Sequence, residues 1–598
     1  MELVSVIRKW LPSYIIASLL LLMAIVVMNV EPKLFEVAVD FVVAGSKDMD
    51  VSYQSKDFVS RFLYDVLKLS FQNDLVKGLW TIAAMYFSTS LLRAFFWWIS
   101  GRLNAGTTEK AIRHLRDALF LHIQHIPVSY FASASKGELI QRLQGDIYNV
   151  KFFFQNQVVN LIRLIGIFVF SFFMMAIVNI YYALIVVSLV PFIFWWSFRY
   201  YRKQKELFSE SQIEIDRLTE IARENFVSMR SVIALSLHEN EINKFDRQNQ
   251  RKLEQDIRHV DAARRFMNVN DLLLALQVTL SVVSGGVFAL NGYISLGQML
   301  SFYTYAVMVS WPLSLVGATS LQFAKMTVSL RRIQEVSRLH PEANADGNKE
   351  MSNQKEFIGG RIEFRNVSFR YPEQQYWSLQ NVSFVIEAGE KVAFLGSSGS
   401  GKSTIFALLL RLYEPTSGEI FLDGTPLPMY DRRFLREKIG YTMEKSFLFS
   451  TTLVSNITWD AKDRPEELHS ILETSQVSAF MHVLPAGVDT VVGSKGVLLS
   501  GGQKQRISIA RTLYARPGVL ILDNANAALD PSTERQVFQK ILDDWGDNTV
   551  LLATHRSSLL KHMNKVIVLS GGLLVKCEER APEEQSKVVV DNVRVFDK

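Results

Sequence analysis

The chain contains very little cysteine: Cys577 is the single one among 598 residues. One cysteine excludes a disulfide within the chain and is typical of a protein that works in a reducing compartment. A large excess of one charge is also missing, because a net charge of +6 is small for this length, and we expect no nucleic-acid partner. The first apolar run, residues 15–30, lacks the small-residue cleavage site of a signal peptide. We interpret it as a signal anchor with the N-terminus inside.

Apolar residues are abundant and unevenly distributed. They make up 49% of the chain, and most long apolar runs lie before about residue 320. Each of these runs comes near the ~20 residues that a membrane-crossing helix needs. They are residues 14–30, 79–99, 158–178, 181–198, 272–290 and 299–318. We therefore predict an all-α domain of six transmembrane helices embedded in a lipid bilayer.

The connections between the predicted spans differ sharply in length. Short turns join the third span to the fourth and the fifth to the sixth, whereas residues 100–157 and 199–271 are long, charged and helix-patterned. The fourth span ends in Trp195 and Trp196 followed by basic residues, and this positive flank indicates the cytoplasmic side. The two long connections are therefore predicted to be cytoplasmic helical hairpins. Residues 31–77 are predicted to lie outside and to include an amphipathic helix near Phe58.

Several polar residues lie inside the predicted spans. We expect Arg93 to extend to the inner membrane interface, while for Arg163 both the interface and a cavity stay open. The polar residues of the fifth and sixth spans either hydrogen-bond between helices or face a translocation path. They are Asn270, Gln277, Thr279, Tyr303 and Tyr305.

The composition changes after the membrane domain, which we assign to residues 1–335. Residues 336–360 are polar and predict a linker, residues 361–580 predict an α/β domain, and the tail at 581–598 has no assignment. In the α/β domain, one stretch fits the phosphate-loop pattern G-x-x-x-x-G-K-S/T between an apolar strand and a helix. Its N–H groups and its lysine can hold phosphate, and its serine hydroxyl can bind Mg²⁺. The loop consists of Gly396, Ser397, Ser398, Gly399, Ser400, Gly401, Lys402, Ser403 and Thr404.

Other residues suited to a nucleotide site occur before and after this loop. Asp523 ends an apolar strand and can hold Mg²⁺, and His555 follows another strand, where it can contact the γ-phosphate. Tyr371 can stack on an adenine. A second phosphate contact is predicted where a helix opens after Leu499, at Ser500, Gly501, Gly502 and Gln503.

Together, the phosphate loop, the LSGGQ run at 499–503, Asp523 and His555 resemble the nucleotide-binding domain of ABC transporters. The predicted spans with two long inner hairpins are similar to the type IV exporters, the half-transporters of the multidrug and lipid A flippase kind. The resemblance implies that two nucleotide domains dimerise head to tail, with each ATP between one chain's phosphate loop and the other chain's LSGGQ. It also implies coupling helices near residues 127–139 and 236–245 that dock on the nucleotide domains, and an alternating-access cycle.

Four positions depart from the family's pattern, Glu444, Ser494, Asn524 and Ala527, and two of them bear on hydrolysis. Asn524 stands where the family has the glutamate that activates the attacking water, and Glu444 stands at the glutamine of the Q-loop. Since an amide cannot accept the proton, we expect this site to bind ATP and Mg²⁺ but to hydrolyse ATP poorly. The residues on the metal side would be Ser403, Glu444 and Asp523. The pattern resembles the degenerate half of heterodimeric exporters, whose intact LSGGQ completes the competent site of a partner.

We therefore predict a heterodimer with a second half-transporter in a bacterial inner membrane, with the N-terminus and the nucleotide domain in the cytoplasm. The chain would move an amphipathic or hydrophobic small molecule, lipid or peptide out of the cytoplasm. Two alternatives stay open. One is an ATP-gated channel or regulator, and the other is a homodimeric exporter with slow turnover in which Glu444 restores some hydrolysis.

Overall fold

The computed structural model divides the chain into two compact units. The first comprises Met1–Gln124 and Lys136–Leu339, and the second comprises His125–Ser135 and His340–Lys598. The residues that the structure describes are 3–45, 58–71, 75–133, 136–314, 316–342, 359–372, 374–459, 464–493, 499–545, 547–554 and 557–579. The predicted tail at 581–598 and His555 therefore lie outside the described residues.

All elements described in the first unit are helical. In chain order, the helices up to the second unit's main part are α1 Leu3–Met28, α2 Glu31–Gly45, α3 Phe58–Phe71, α4 Leu75–Gln124, α5 Val128–Ser133, α6 Lys136–Gln141, α7 Ile147–Phe152, α8 Val158–Val178, α9 Ile180–Val187, α10 Val190–Val227, α11 Met229–Ala234, α12 His238–Leu290, α13 Leu296–Ser314 and α14 Val316–Ser337. Two π-helical turns, Arg142–Asp146 and Phe153–Gln157, flank α7. The short helix α5 falls in the second unit.

Among the described residues, five stretches are long and apolar enough to cross a membrane. They are Arg8–Val43, Val76–Gln124, Gly137–Val178, Ile180–Tyr200 and His238–Leu290. The sixth predicted span, 299–318, coincides with α13 and the start of α14, and residue 315 lies outside the described part of the chain. A long apolar helical part followed by an α/β part confirms the predicted fold class.

Helix α1 ends at Met28, so the predicted end of the first span at residue 30 falls at the break before α2. Only Asn29 and Val30 separate α1 from α2, and α2 packs on α13 inside the unit. The Asn29 side chain donates to the Ile25 carbonyl (2.9 Å) and accepts from the Ser171 hydroxyl (2.8 Å), while its carbonyl accepts from the Tyr305 hydroxyl (2.7 Å). Helix α2 was not predicted, because its charged residues lower its hydropathy although their side chains are satisfied within the unit.

The charged residues of α2 are paired inside the first unit. Lys33 Nζ lies 2.9 Å from Glu36 Oε2, and both side chains are fully buried. The Glu36 carboxylate also accepts from the hydroxyls of Ser60 (3.1 Å) and Ser301 (3.0 Å), on α3 and α13. A buried ion pair stays favourable only when further hydrogen bonds satisfy it. Glu36 thus connects three helices.

The two arginines inside the predicted spans both have partners. Arg93 Nη1 donates to Glu31 Oε2 (2.8 Å), an acidic partner that was not predicted from the sequence. The Arg163 guanidinium lies 4.7 Å from the ring centre of Trp97, a cation–π distance.

The predicted polar residues of the later spans divide into buried and exposed ones. Asn270, Gln277 and Tyr305 are buried, and Tyr305 makes the hydrogen bond between helices that was one of the two alternatives. Thr279 and Tyr303 are exposed. The amphipathic helix near Phe58 is confirmed as α3, which packs against α2 and α4.

The second unit is an α/β structure. Its strands are β1 Ile362–Phe369, β2 Leu379–Ile386, β3 Lys391–Leu395, β4 Ser417–Leu422, β5 Thr425–Pro426, β6 Ile439–Thr442, β7 Val519–Asp523, β8 Thr549–Ala553, β9 Lys565–Ser570 and β10 Leu573–Glu579. Its remaining helices are α15 Lys402–Leu409, α16 Arg432–Lys438, α17 Leu453–Thr458, α18 Pro465–Thr474, α19 Ser478–Met481, α20 Gly501–Tyr514 and α21 Pro531–Asp544, with 3₁₀ turns at Leu427–Met429, Gly487–Asp489 and Ser557–His562.

These strands form two sheets. A four-stranded antiparallel sheet has the order β2-β1-β4-β5, and a six-stranded sheet has the order β10-β9-β3-β8-β7-β6. In the larger sheet only β10 runs antiparallel to its neighbour. Leu520 and Leu522 of β7 face one apolar core, while Val519 and Ile521 face the other. Burial on both faces explains why these strands are continuous apolar runs in the sequence.

We expect Glu36→Ala to destabilise the protein by about 3–5 kcal/mol, because it leaves the buried Lys33 ammonium without its carboxylate. The double variant Lys33→Met/Glu36→Leu removes both charges and is expected to unfold near the wild-type temperature. The measurement is thermal unfolding of the detergent-solubilised chain. Glu206→Ala is the matched control, since Lys203 and Glu206 form a pair of the same spacing with both side chains 62% exposed. Equal destabilisation by the two single variants would contradict the role of burial.

Candidate nucleotide-binding site

The phosphate loop connects β3 to α15 through glycines that no other residue can replace without strain. Gly396 has a φ of 151° and Gly401 a φ of 109°. A Cβ on Gly396 would lie 2.3 Å from the Leu569 carbonyl oxygen, and one on Gly401 would lie 2.8 Å from the Ser378 carbonyl oxygen. The loop therefore keeps its backbone close to neighbouring strands while its N–H groups stay available for an anion.

Lys402, the first residue of α15, folds back across this loop. Its Nζ donates to the carbonyl oxygens of Gly396 (2.7 Å) and Ser397 (2.9 Å). Burial lowers the pKa of Lys402, while the carboxylates of Asp523 and Glu444 act in the opposite direction. The ammonium thus lies at the centre of the loop with two acidic groups nearby.

Asp523 ends β7 beside the phosphate loop and is 2% exposed. Its Oδ2 accepts from the Tyr441 hydroxyl (3.1 Å). Burial raises the pKa of Asp523, while the nearby Ser403 hydroxyl acts to lower the pKa of this carboxyl. Its other oxygen, Oδ1, is buried and has no hydrogen-bond partner among the residues that the structure describes. Mg²⁺ prefers oxygen ligands, and a buried carboxylate oxygen without a hydrogen-bond partner, next to a serine hydroxyl, suits that preference.

The described residues contain no cluster of three His, Cys, Asp or Glu side chains that could hold a metal alone. This agrees with a Mg²⁺ site in which nucleotide phosphates and water supply most ligands, as is usual for this ion. When bound, the ion would neutralise charge on the phosphates. The residues placed to hold it are Ser403 and Asp523, with Glu444 close by.

Asn524 follows Asp523 in a left-handed conformation, with a φ of 47°. Its backbone N–H donates to the Ala553 carbonyl (3.1 Å), and its own carbonyl accepts from the Gln505 side chain (3.1 Å). The side-chain Nδ2 lies 3.5 Å from Glu444 Oε2. The amide and the carboxylate that depart from the family's pattern therefore face each other.

One pocket of about 390 Å³ brings most of the predicted residues together. Tyr371 lines it, with its hydroxyl 3.3 Å from the Thr404 hydroxyl and its ring packed edge-on against Tyr413. The other lining residues are Gln374, Tyr376, Ser378, Ser398, Gly399, Ser400, Gly401, Lys402, Ser403, Thr404, Glu444, Asn524, Asn526 and Ala527. His555 lies outside the described residues.

The LSGGQ residues are not among those lining this pocket. Ser500 is the N-cap of α20: its hydroxyl accepts from the Gln503 N–H (3.3 Å), and the Gln503 side chain accepts from the Ser500 N–H (2.8 Å). This capping box starts the helix at the predicted motif. Ser500 and Gly501 are exposed.

Three residues of the site were missed in the sequence. Tyr441 donates to Asp523, Gln505 joins the Asn524 carbonyl to the Ala528 N–H (3.0 Å), and Asn526 donates to the Thr554 hydroxyl (3.0 Å). Of the three, only Tyr441 could have been found from the sequence, since it lies three residues before Glu444 in a short apolar strand.

Comparison with known proteins agrees with this arrangement. The ABC transporter transmembrane region matches residues 14–313, and the ABC transporter model of the nucleotide-binding part matches residues 379–527. The putative multidrug export ATP-binding/permease protein YgaD of Bacillus subtilis (strain 168) is 30% identical over 84% of this chain and 87% of its own length. An ATP-dependent lipid A-core flippase of Alkalilimnicola ehrlichii is 31% identical over 78% of this chain and 79% of its own length.

A unit of apolar helices and an α/β unit with a phosphate loop define a membrane transporter that binds ATP. The chain belongs to the ABC transporter family. It is a half-transporter, because one chain carries one transmembrane region and one ATP-binding region. The ATP-binding cassette sub-family B member 10, mitochondrial, of Mus musculus is 33% identical over 80% of this chain and 67% of its own length.

We expect Lys402→Ala to weaken ATP binding roughly 10- to 100-fold, because a hydrogen bond to a charged group contributes about 1.5–3 kcal/mol. The measurement is titration of the purified chain with a fluorescent ATP analogue. Arg433→Ala is the control, since Arg433 is 88% exposed and pairs with Glu437 on the surface. An unchanged dissociation constant for Lys402→Ala would show that the phosphates bind elsewhere.

Proposed function

We propose that this chain is the ATP-binding half of an exporter whose own site binds ATP but hydrolyses it poorly. The observation that carries the proposal is Asn524, at the end of β7 where the family has a glutamate. Its amide lies in the pocket beside Glu444. A neutral amide can orient water but cannot take its proton, and loss of a general base typically costs about 10²–10⁴-fold in rate.

The parts expected to bind the nucleotide are complete. Tyr371 would stack on the adenine, residues 396–404 would hold the phosphates, and Mg²⁺ would lie near Ser403 and Asp523. These side chains line or border one pocket. Binding and hydrolysis therefore depend on different residues, and only the second set is altered.

The LSGGQ run supports a second chain as partner. Ser500 and Gly501 are exposed at the start of α20, away from the pocket of their own chain. The positive end of a helix is suited to a phosphate, so this surface would complete an ATP site whose phosphate loop belongs to another half-transporter. We favour a heterodimer, because a partner with the glutamate would then hold the competent site.

The transported substrate is proposed to be amphipathic or hydrophobic. Two relatives named above are called a multidrug exporter and a lipid A-core flippase, and the chain is an integral membrane protein with several apolar helices. We place it in a bacterial inner membrane with its N-terminus and nucleotide domain in the cytoplasm. ATP binding would drive alternating access.

A homodimeric exporter with slow turnover is the second candidate. The observation that favours it is Glu444, whose carboxylate is 3.5 Å from the Asn524 amide and lines the same pocket. In a homodimer this carboxylate would be the nearest acidic group to take over from the missing glutamate.

We expect the double variant Asn524→Glu/Glu444→Gln to raise the ATPase rate of the purified chain about 10²–10⁴-fold, because it restores a general base. Asn524→Glu alone is expected to raise the ATPase rate less, since its new carboxylate is repelled by those of Asp523 and Glu444. The rates are measured on dimers in lipid nanodiscs. The first candidate would be wrong if the unaltered homodimer already turned over rapidly and Glu444→Gln abolished that activity.

We expect Ser500→Ala to lower ATP turnover of the complex with a catalytic partner about 10²-fold, as for the loss of one donor to a reacting group. ATP binding in this chain's own pocket is expected to stay unchanged. Ser500 also caps a helix, so the matched control is Thr452→Ala, which removes the N-cap of α17. If both variants reduced turnover equally, the loss would come from helix stability and not from the partner's site.

A further inference from the structure

Arg436, in α16, contacts the C-terminal end of the phosphate-loop helix α15. Its Nε donates to the Leu410 carbonyl (3.2 Å), and its Nη2 donates to the Arg411 carbonyl (3.1 Å). These carbonyls come directly after α15, at the negative end of the helix, where a guanidinium is favourable. The phosphate loop lies at the opposite end of the same short helix, so a shift of α15 along its axis reaches Arg436.

Glu342 holds the other side of this guanidinium. Its two carboxylate oxygens accept from Arg436 Nη1 (2.8 Å) and Nη2 (3.0 Å), a two-point contact that fixes both position and angle. The Glu342 backbone N–H donates to the His125 carbonyl (2.7 Å). The Glu342 side chain is 18% exposed and that of Arg436 33%, so water screens their attraction less than in a surface pair.

Part of the segment 125–133 borders a cavity instead of packing directly on the α/β part. A cavity of about 400 Å³ is bounded by Pro127 and Ser129 and, from the α/β part, by Phe369, Arg411 and Tyr413. Close-packed groups transmit a shift by direct contact. Across a cavity, movement of α15 needs a chain of bonded groups to reach the other side. The hydrogen bonds from Arg436 to Glu342 and from Glu342 to His125 form such a chain.

We propose that Glu342 and Arg436 form a clamp that passes movement of the phosphate-loop helix to residues 125–133. The proposal rests on the proposed function, since nucleotide binding is what moves α15. Both are positioning residues, because neither lines the nucleotide pocket. Along the chain, residues 125–135 connect α4 to α6. The clamp thereby gives nucleotide occupancy a route to the two helices that adjoin this segment.

The test is amide hydrogen exchange of the full chain in lipid nanodiscs, with and without Mg²⁺ and a non-hydrolysable ATP analogue. In the wild-type chain the analogue is expected to slow exchange in residues 128–133. In Glu342→Ala and Arg436→Ala this response is expected to shrink roughly two- to thirtyfold, while the analogue's dissociation constant stays within about twofold. Because the two residues act as one unit, the double variant is expected to lose as much of the nucleotide response as each single variant does.

Arg433→Ala and Glu437→Ala are the matched controls, since they break an exposed pair on the same helix. Glu342→Ala decides the outcome if Arg436→Ala fails to fold, because it leaves the cap on α15 in place. A wild-type-like response of residues 128–133 in Glu342→Ala would overturn the clamp. So would a purely structural result, in which exchange rises by the same factor with and without nucleotide. Failure of the analogue to bind the wild-type chain would instead contradict the proposed function.

Discussion

Parallel pairing of β3, β8 and β7 holds the carboxyl ends of these strands at one edge of the six-stranded sheet. The phosphate loop leaves β3 at this edge, and Asp523 ends β7 two strands away. Tyr441 reaches the same carboxylate from β6, the next strand in the sheet. Since groups far apart in the chain meet only because of this strand order, the remaining contacts of the site depend on it.

The local parts of the site could be predicted from the sequence because their physical causes are local. The phosphate loop needs glycines at positions such as Gly396, and the capping box of Ser500 and Gln503 lies within four residues. Gln505 could not be found in this way. It is one of several polar residues in an exposed-looking helix, and its role comes from the turn after Asp523, which the fold brings next to it.

The membrane part was harder to predict for a different reason. Hydropathy averages treat Glu31, Lys33 and Glu36 as residues that belong in water, so helix α2 and its packing on α13 were not predicted. In the structure, Lys33 pairs with Glu36 on the same helix, while Glu31 finds Arg93 on α4 and Glu36 finds Ser301 on α13. The cost of burying a charge depends on its partners, and partners on other helices are not visible in a single window of sequence.

The proposed separation of binding from hydrolysis rests on Asn524 and Glu444, which line one pocket. Relative to the family's pattern, a carboxylate and an amide have exchanged places, so the site near Asp523 keeps the same number of negative charges. Coulomb attraction falls off slowly with distance, and moving one carboxylate across the pocket therefore changes the affinity for Mg²⁺ and ATP little. Proton transfer instead needs contact at about 2.6–3.2 Å from the attacking water. A displacement of this size would therefore keep binding and remove the base, which is what the proposed function requires of Asn524 and Glu444.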